Sequence, residues 1–252
     1  MTVTAPTRLS DRLIGIVESF LAAPSQSLSE VAAACGLEPS TTTRYLRQLV
    51  DHGWLERDEV SRCYSLGVRM ITIGHAARRA RPLRGRVLPY MRELLARFDE
   101  TINLAVNQTG EVVIIEALEG RRSIRRGATV GDRDDWFVSS LGKSILAHLP
   151  DDEVRELLRT RPPERHTALT RTDPADVLAD LADIRRRGYA LDNEEAEIGM
   201  KCVGVPIRDD RGRYRFALSV SGPTARMNDR LDDIVDALKA VARNVSAEGE
   251  AS

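Results

Sequence analysis

Residues 27–66 constrain the fold of this chain more than any other stretch, because several local signals occur there in one fixed order. Ser27-Leu28-Ser29-Glu30 has the form of a capping box: the serine hydroxyl takes one orphan amide of a helix start, and the glutamate returns to the serine amide. A short helix through Val31, Ala32 and Cys35 follows, ended by Gly36 as its left-handed residue. Pro39 then opens another helix at a position where a missing amide is tolerated. Thr42, Leu46, Leu49 and Val50 give that helix its inward face, and Gly53 ends it. Residues 53–67, GWLERDEVSRCYSLG, alternate Leu55 with Arg57 and Tyr64 with Leu66 around polar Asp58 and Glu59, which is the pattern of a hairpin. Upstream, Leu9, Leu13, Ile16, Val17 and Phe20 mark one apolar helix face, stopped by Pro24 and Ser25. Three helices with a tight turn between the last two, followed by a hairpin, is the order of a winged helix-turn-helix.

With the inward face so assigned, Ser40, Thr41, Arg44 and Arg47 point away from the core. Arginine bonds guanine in bidentate fashion, and short hydroxyls at a helix start reach bases or phosphates. The expected contacts to duplex DNA are the run Ser40, Thr41, Thr42, Thr43 and Arg44 with Arg47 on the third helix. Arg57 and Arg62 of the hairpin join them, in reach of phosphates or the minor groove. The charge balance runs against this reading, since residues 1–68 hold six Arg and eight Asp or Glu. Two features answer it in part. The outward face carries no carboxylate before Asp51, and residues 69–100 hold eight Arg against three acidic residues. Affinity for DNA follows the charges that sit near phosphates rather than the total. A solvated helix of a small bundle is the alternative, and the agreement of cap, turn, helix and wing speaks against it.

Composition excludes several classes. No apolar run nears the roughly 20 residues of a membrane span. The start, MTVTAPTRLSDRL, lacks a basic segment followed by an apolar one, so no secretory leader is read there. Cys35, Cys63 and Cys202 stand far apart and outside CxxC spacing, which fits a reduced, cytoplasmic protein with neither a disulfide framework nor structural zinc. His52, His75, His148 and His166 are equally scattered, so no metal site and no cofactor is expected.

From Arg69 to Arg97 the pattern is helical but interrupted by Pro82 and Pro89, which predicts a linker helix and then a second helix. Residues 101–107 and 111–118 read as an antiparallel pair joined through Gln108-Thr109-Gly110, and 121–126 as a third strand. Helices are expected at 142–149, 152–159, 174–187 and 229–245, and strands at 202–208 and 213–221 around Asp209-Asp210-Arg211-Gly212. Mixed antiparallel strands and helices indicate an α+β fold. The expected organisation is 1–68 for the DNA-binding domain, 69–86 for the linker helix and 87–252 for the remainder.

At this point the sequence resembles the IclR family of bacterial regulators. The matching residues in the first half are Leu28-Ser29-Glu30-Val31-Ala32, Gly36-Leu37, Ser40 through Leu46, Leu49, Gly53-Trp54 and Tyr64-Ser65-Leu66-Gly67. The likeness continues through Val130-Gly131, Gly142-Lys143-Ser144-Ile145-Leu146-Ala147, Gly188-Tyr189, Glu195, Gly199, Cys202, Pro206-Ile207 and Ser219 through Pro223. It implies a ligand-responsive transcription regulator, not an enzyme, whose C-terminal domain is a GAF-like α/β sensor of a small-molecule effector. It also implies dimers that assemble into tetramers, and a target among catabolic operons. The effector residues it implies are Ser140, Leu141, Gly142, Asp192, Cys202, Ser219 and Ser221. The residue chemistry agrees. Ser219 and Ser221 lie two apart on one strand and so share a face. Gly142 opens an expected helix whose amides would attract a carboxylate. Such a polar cup suits an organic acid, while Leu141 and the aromatic pair Trp136-Phe137 favour an aromatic one. Two other roles for Cys202 are weaker: a nucleophile would need a base such as His166, and a redox thiol would need help from Lys201.

Overall fold

The computed structural model describes residues 8–108 and 110–250, in two compact units that divide between Ala80 and Arg81. Helices α1 (Leu9–Ala22), α2 (Leu28–Cys35) and α3 (Pro39–Asp51) precede an antiparallel wing of β1 (Leu55–Arg57) and β2 (Tyr64–Leu66). The capping box forms in full: Ser27 Oγ accepts from the Glu30 amide at 3.4 Å, and the Ser27 amide donates to Glu30 Oε2 at 2.7 Å. Gly36 takes φ of 62°, a left-handed conformation that glycine adopts without a Cβ clash. Ile16, Phe20, Val31, Tyr45, Leu46 and Leu55 close a single small core. Leu9, although on the periodic stripe, is exposed. Gln26 and Tyr64 exchange backbone bonds at 3.0 and 2.7 Å, which ties the wing to the entry of α2.

The helix expected over 69–86 is two helices. α4 (Val68–Arg79) stops before Arg81, and α5 (Pro82–Phe98) begins on Pro82. Pro82 therefore breaks the run as its spacing predicts, but Pro89 lies inside α5. An internal proline costs about 3 kcal/mol. Burial of Leu83, Val87, Met91, Leu94 and Phe98 along the same helix offsets it.

The second unit continues with β3 (Thr101–Gln108), β4 (Glu111–Leu118), β5 (Arg133–Asp134), α6 (Ser140–Leu146), α7 (Asp151–Thr160) and α8 (Pro174–Arg187). It ends with β6 (Ala190–Asn193), β7 (Met200–Arg208), β8 (Tyr214–Pro223), α9 (Thr224–Asp229) and α10 (Leu231–Glu250). The six larger-sheet strands are antiparallel in the order β5-β4-β3-β8-β7-β6. Alternate residues face opposite layers. Ile102, Leu104, Val203, Val205, Leu218 and Val220 pack with α5 and α10. Ala105, Ala190 and Ala217 pack with α6, α7 and α8 on the other face. This is the α+β arrangement expected, with helices on both faces of one sheet.

Three local expectations are corrected, and the structure adds a further strand, β6. Residues 121–126 form no strand: Ile124 is their sole apolar side chain and is exposed, so there is no face to bury, and β5 takes that edge instead. β6 has only four residues, too few to show a periodic pattern. The helix expected over 229–245 is α10, which starts two residues later at Leu231 and runs on to Glu250, while Asp229 ends α9. α6 begins at Ser140 rather than Gly142, because Ser139 is its N-cap. Thr109 of the expected turn lies outside the described residues. Among the described residues no helix is long and apolar enough to cross a membrane.

Candidate functional site

On α3, Ser40, Thr43, Arg44 and Arg47 are exposed and Thr41 is half-buried. Thr42 corrects the expected contact run. It is fully buried one turn before Leu46, and its hydroxyl donates to the Glu38 carbonyl at 3.0 Å, so it serves the core and not the outer face. Thr43 donates to the Pro39 carbonyl at 2.8 Å and keeps its acceptor capacity for a partner. Tyr45, which the sequence pattern does not single out, is buried beneath Arg44. Its hydroxyl accepts from Arg44 Nη2 at 3.4 Å, and the guanidinium lies 5.1 Å from the ring centroid. Tyr45 thus limits the rotamers of Arg44. On the wing, Arg57 lies 5.5 Å from the Tyr64 ring, and exposed Arg62 sits at φ of 60° with Glu59 3.8 Å away. An exposed pair of that kind contributes little and yields readily to a phosphate.

Six of the seven residues expected around an effector, Ser140, Leu141, Asp192, Cys202, Ser219 and Ser221, line one cavity of about 120 Å³ in the second unit. Sheet register brings them together. Asn103 pairs with Ser219, Ser221 with Cys202, and Cys202 with Asp192, so four adjacent strands present these side chains on the face opposite Val203 and Val220. Ser140 and Leu141 come from the first turn of α6. Gly142 is the exception. Its amide donates to Ser139 Oγ at 2.8 Å, and that hydroxyl donates to the Asp135 carbonyl at 2.7 Å, so the amide is already occupied and faces no ligand. Trp136 and Phe137 pack in the core with Ile145 and Val154 instead of lining the cavity.

Other lining residues are not evident from the sequence pattern, notably Asn103, Ile114, Arg126 and Asp134. Asn103 has a signal: it is a polar side chain inside the apolar strand TINLAVN. Its Oδ1 and Ser219 Oγ are buried without a hydrogen-bond partner among the described residues. Leaving such atoms unmet costs about 1–3 kcal/mol each. Burial pushes the Asp134 carboxyl up to about 6. Burial also raises Asp192, against the Ala196 amide, the charge of Lys143 and the Glu195 amide. The Asp192 Oδ1 accepts from the Glu195 and Ala196 amides at 2.9 and 3.2 Å. Behind it, Lys143 Nζ reaches Glu195 Oε1 at 2.6 Å and Asp180 Oδ2 at 3.3 Å in a fully buried cluster, which fixes the loop after β6.

Burial pushes the Cys202 thiol up to about 12, so it stays protonated and a poor nucleophile at neutral pH. His166 stands by Asp135 at 3.9 Å and does not line the cavity, and Lys201 Nζ bonds Asn228 at 2.5 Å instead of reaching the thiol. Nothing in this arrangement assembles a nucleophile with a base.

Both units match known families. The model for the IclR helix-turn-helix domain matches residues 11–59, and that for the bacterial transcriptional regulator IclR C-terminal domain matches residues 75–247. The HTH-type transcriptional regulator BhcR of Paracoccus denitrificans is 36% identical over 240 residues, covering 95% of this chain and 86% of that protein. The transcriptional repressor IclR of Escherichia coli is 31% identical over 207 residues, covering 81% and 76%. Among solved structures, the Thermotoga maritima IclR is 31% identical with a TM-score of 0.73, covering 95% of this chain and 97% of its own. An IclR homolog complexed with 4-hydroxybenzoate from Microbacterium hydrocarbonoxydans is 29% identical with a TM-score of 0.82, covering 97% and 100%.

Proposed function

The chain belongs to the IclR family of bacterial transcriptional regulators, and from that premise we propose that a compact organic anion in the Cys202–Ser219 cavity governs its grip on an operator. The observation that carries this reading is the convergence of hydroxyls, a neutral thiol and two unmet buried atoms, Asn103 Oδ1 and Ser219 Oγ, on one small cavity. Buried polar atoms in native proteins find partners, and a ligand bearing hydroxyl groups beside its carboxylate supplies them. Arg126 at the rim offers the countercharge, with Glu197 at 3.4 Å on the exposed side and Asp134 within reach of its field inside. Calorimetric titration with short hydroxy and oxo acids tests this. Binding is expected in the parent and should be at least about tenfold weaker in Ser219→Ala. An acid whose affinity Ser219→Ala leaves unchanged would place the effector elsewhere.

A second reading takes an aromatic acid as effector. Leu141 and Ile114 give the cavity apolar walls, and the Microbacterium relative holds 4-hydroxybenzoate. The same titration separates the two, since binding of aliphatic acids alone removes the aromatic reading.

The regulator would work in the cytoplasm, as repressor or activator of a catabolic operon, and as a dimer or tetramer. Paired recognition helices read half-sites a whole turn apart, which a monomer cannot do. Effector binding would shift a population between two arrangements, with α4 and α5 as the covalent path from one unit to the other. Arg44→Ala should weaken specific operator binding by about 1–3 kcal/mol and leave binding to random duplex nearly unchanged. Mobility shifts at fixed salt measure both. Equal losses on the two duplexes would make Arg44 a phosphate contact.

A further inference from the structure

A second cavity in the C-terminal unit, of about 530 Å³, shares no residue with the effector cavity. Its walls carry six cations: Arg185, Arg186 and Arg187 at the end of α8, Arg208 at the end of β7, and Lys239 and Arg243 on α10. Among the described residues no Asp or Glu lines it. The α8 arginines have local explanations. They complement the helix C-terminus, and each meets a carboxylate, Arg185 that of Asp151, Arg186 that of Asp183 and Arg187 that of Asp180 at 3.5 Å, with Arg187 also donating to the Tyr189 carbonyl. The other three, Arg208, Lys239 and Arg243, have no anionic partner among the described residues. Arg208 and Lys239 lie over the rings of Tyr214 and Tyr189, at 4.7 and 5.2 Å.

The floor of the cavity is half-buried. His148 stacks on Tyr214 with centroids 4.0 Å apart, and its Nδ1 donates to the Ser144 carbonyl at 3.0 Å, which leaves Nε2 bare in the neutral ring. Burial, and then the charges of Arg185 and Arg208, press His148 below its ordinary pKa. Two of the cavity's guanidiniums thus add to burial in disfavouring the charged ring.

We propose that this cavity is a second ligand site, taking a small molecule that bears phosphate groups. Cations converging from three walls repel one another until a multivalent anion joins them. Tetrahedral phosphate offers oxygens to all three walls, whereas a carboxylate offers two in one plane, and guanidinium forks match phosphate geometry. The recessed aromatic floor suits a small ligand better than the convex backbone of a duplex.

Calorimetry of the full chain with sodium pyrophosphate, at ionic strength held constant by sodium chloride, tests the site. One saturable site per chain is expected, at least about tenfold weaker in the double variant Arg208→Gln/Arg243→Gln. Both side chains are exposed, so the variant should keep the parent melting temperature. As an independent readout, pyrophosphate should raise the NMR titration midpoint of His148 in the parent, because a bound anion favours the charged ring. A lack of saturable heat overturns the proposal. So does an affinity unchanged in the double variant, which would place pyrophosphate on the arginines of α3 and the wing. Tighter binding of citrate than of pyrophosphate would also overturn it.

Discussion

Replacing Lys143 with methionine should lower the stability of the C-terminal unit by about 3–5 kcal/mol, the usual loss when one partner of a buried ion pair is removed. Methionine approximates the lysine stem, so the loss isolates charge from packing. The side chains of Lys143, Glu195 and Asp180 are 3%, 2% and 9% exposed, so water cannot replace the missing cation. Arg171 remains 2.7 Å from Glu195, but it is 42% exposed and already engaged, so it cannot restore the balance alone. Urea unfolding followed by circular dichroism would show the drop as a lower midpoint at an unchanged slope. A loss below about 1 kcal/mol would mean that Arg171 suffices. The double variant Lys143→Met/Glu195→Gln should recover part of the loss, because it removes the orphaned charge with its partner. The function should suffer as well. Glu195 and Ala196 donate to Asp192 Oδ1, so a loosened loop frees Asp192 and weakens any ligand in the cavity.

How much of the molecule is legible in its sequence depends on distance along the chain. The DNA-binding unit is legible because its signals are local. The Ser27 box, Gly36, Pro39 and the hairpin each act within a few residues, and together they fix α2, α3 and the wing. Thr42 shows the limit even there, since its hydroxyl suits a DNA contact while its spacing suits the core, and spacing prevails. The cavity is the opposite case. Asn103, Asp192, Cys202 and Ser219 meet only through the order β3-β8-β7-β6, which no local pattern encodes. The family resemblance supplies six of the lining residues without their geometry. Asn103 can be found by parity, because Ile102 and Leu104 assign it to the other face. Arg126 cannot, since it lies in an irregular stretch whose single apolar residue, the exposed Ile124, gives no face to read.

Gly142 is where sequence and structure disagree most usefully. The sequence offers its amide to a carboxylate, whereas the structure uses its missing side chain. A Cβ at Gly142 would stand 2.1 Å from the Asp135 carbonyl oxygen and 2.7 Å from Trp136 Cα, both backbone atoms that cannot rotate away. Gly142→Ala should therefore push the first turn of α6 off the 135–139 loop and break the relay from the Gly142 amide through Ser139 to Asp135. Overpacking of this kind costs about 1–3 kcal/mol, and the strain falls on the turn that carries Ser140 and Leu141 into the cavity. Two losses are expected together: a lower melting temperature, and affinity for the organic acid proposed as effector at least about tenfold weaker. The pairing is diagnostic. If the amide itself held the ligand, alanine, which keeps the amide, would leave affinity intact once the protein is folded. If the close approach positions the cavity wall, affinity falls in protein that is fully folded by circular dichroism. A Gly142→Ala protein with parent stability and parent affinity would show that α6 can shift without cost, and a positioning role for the glycine would fail.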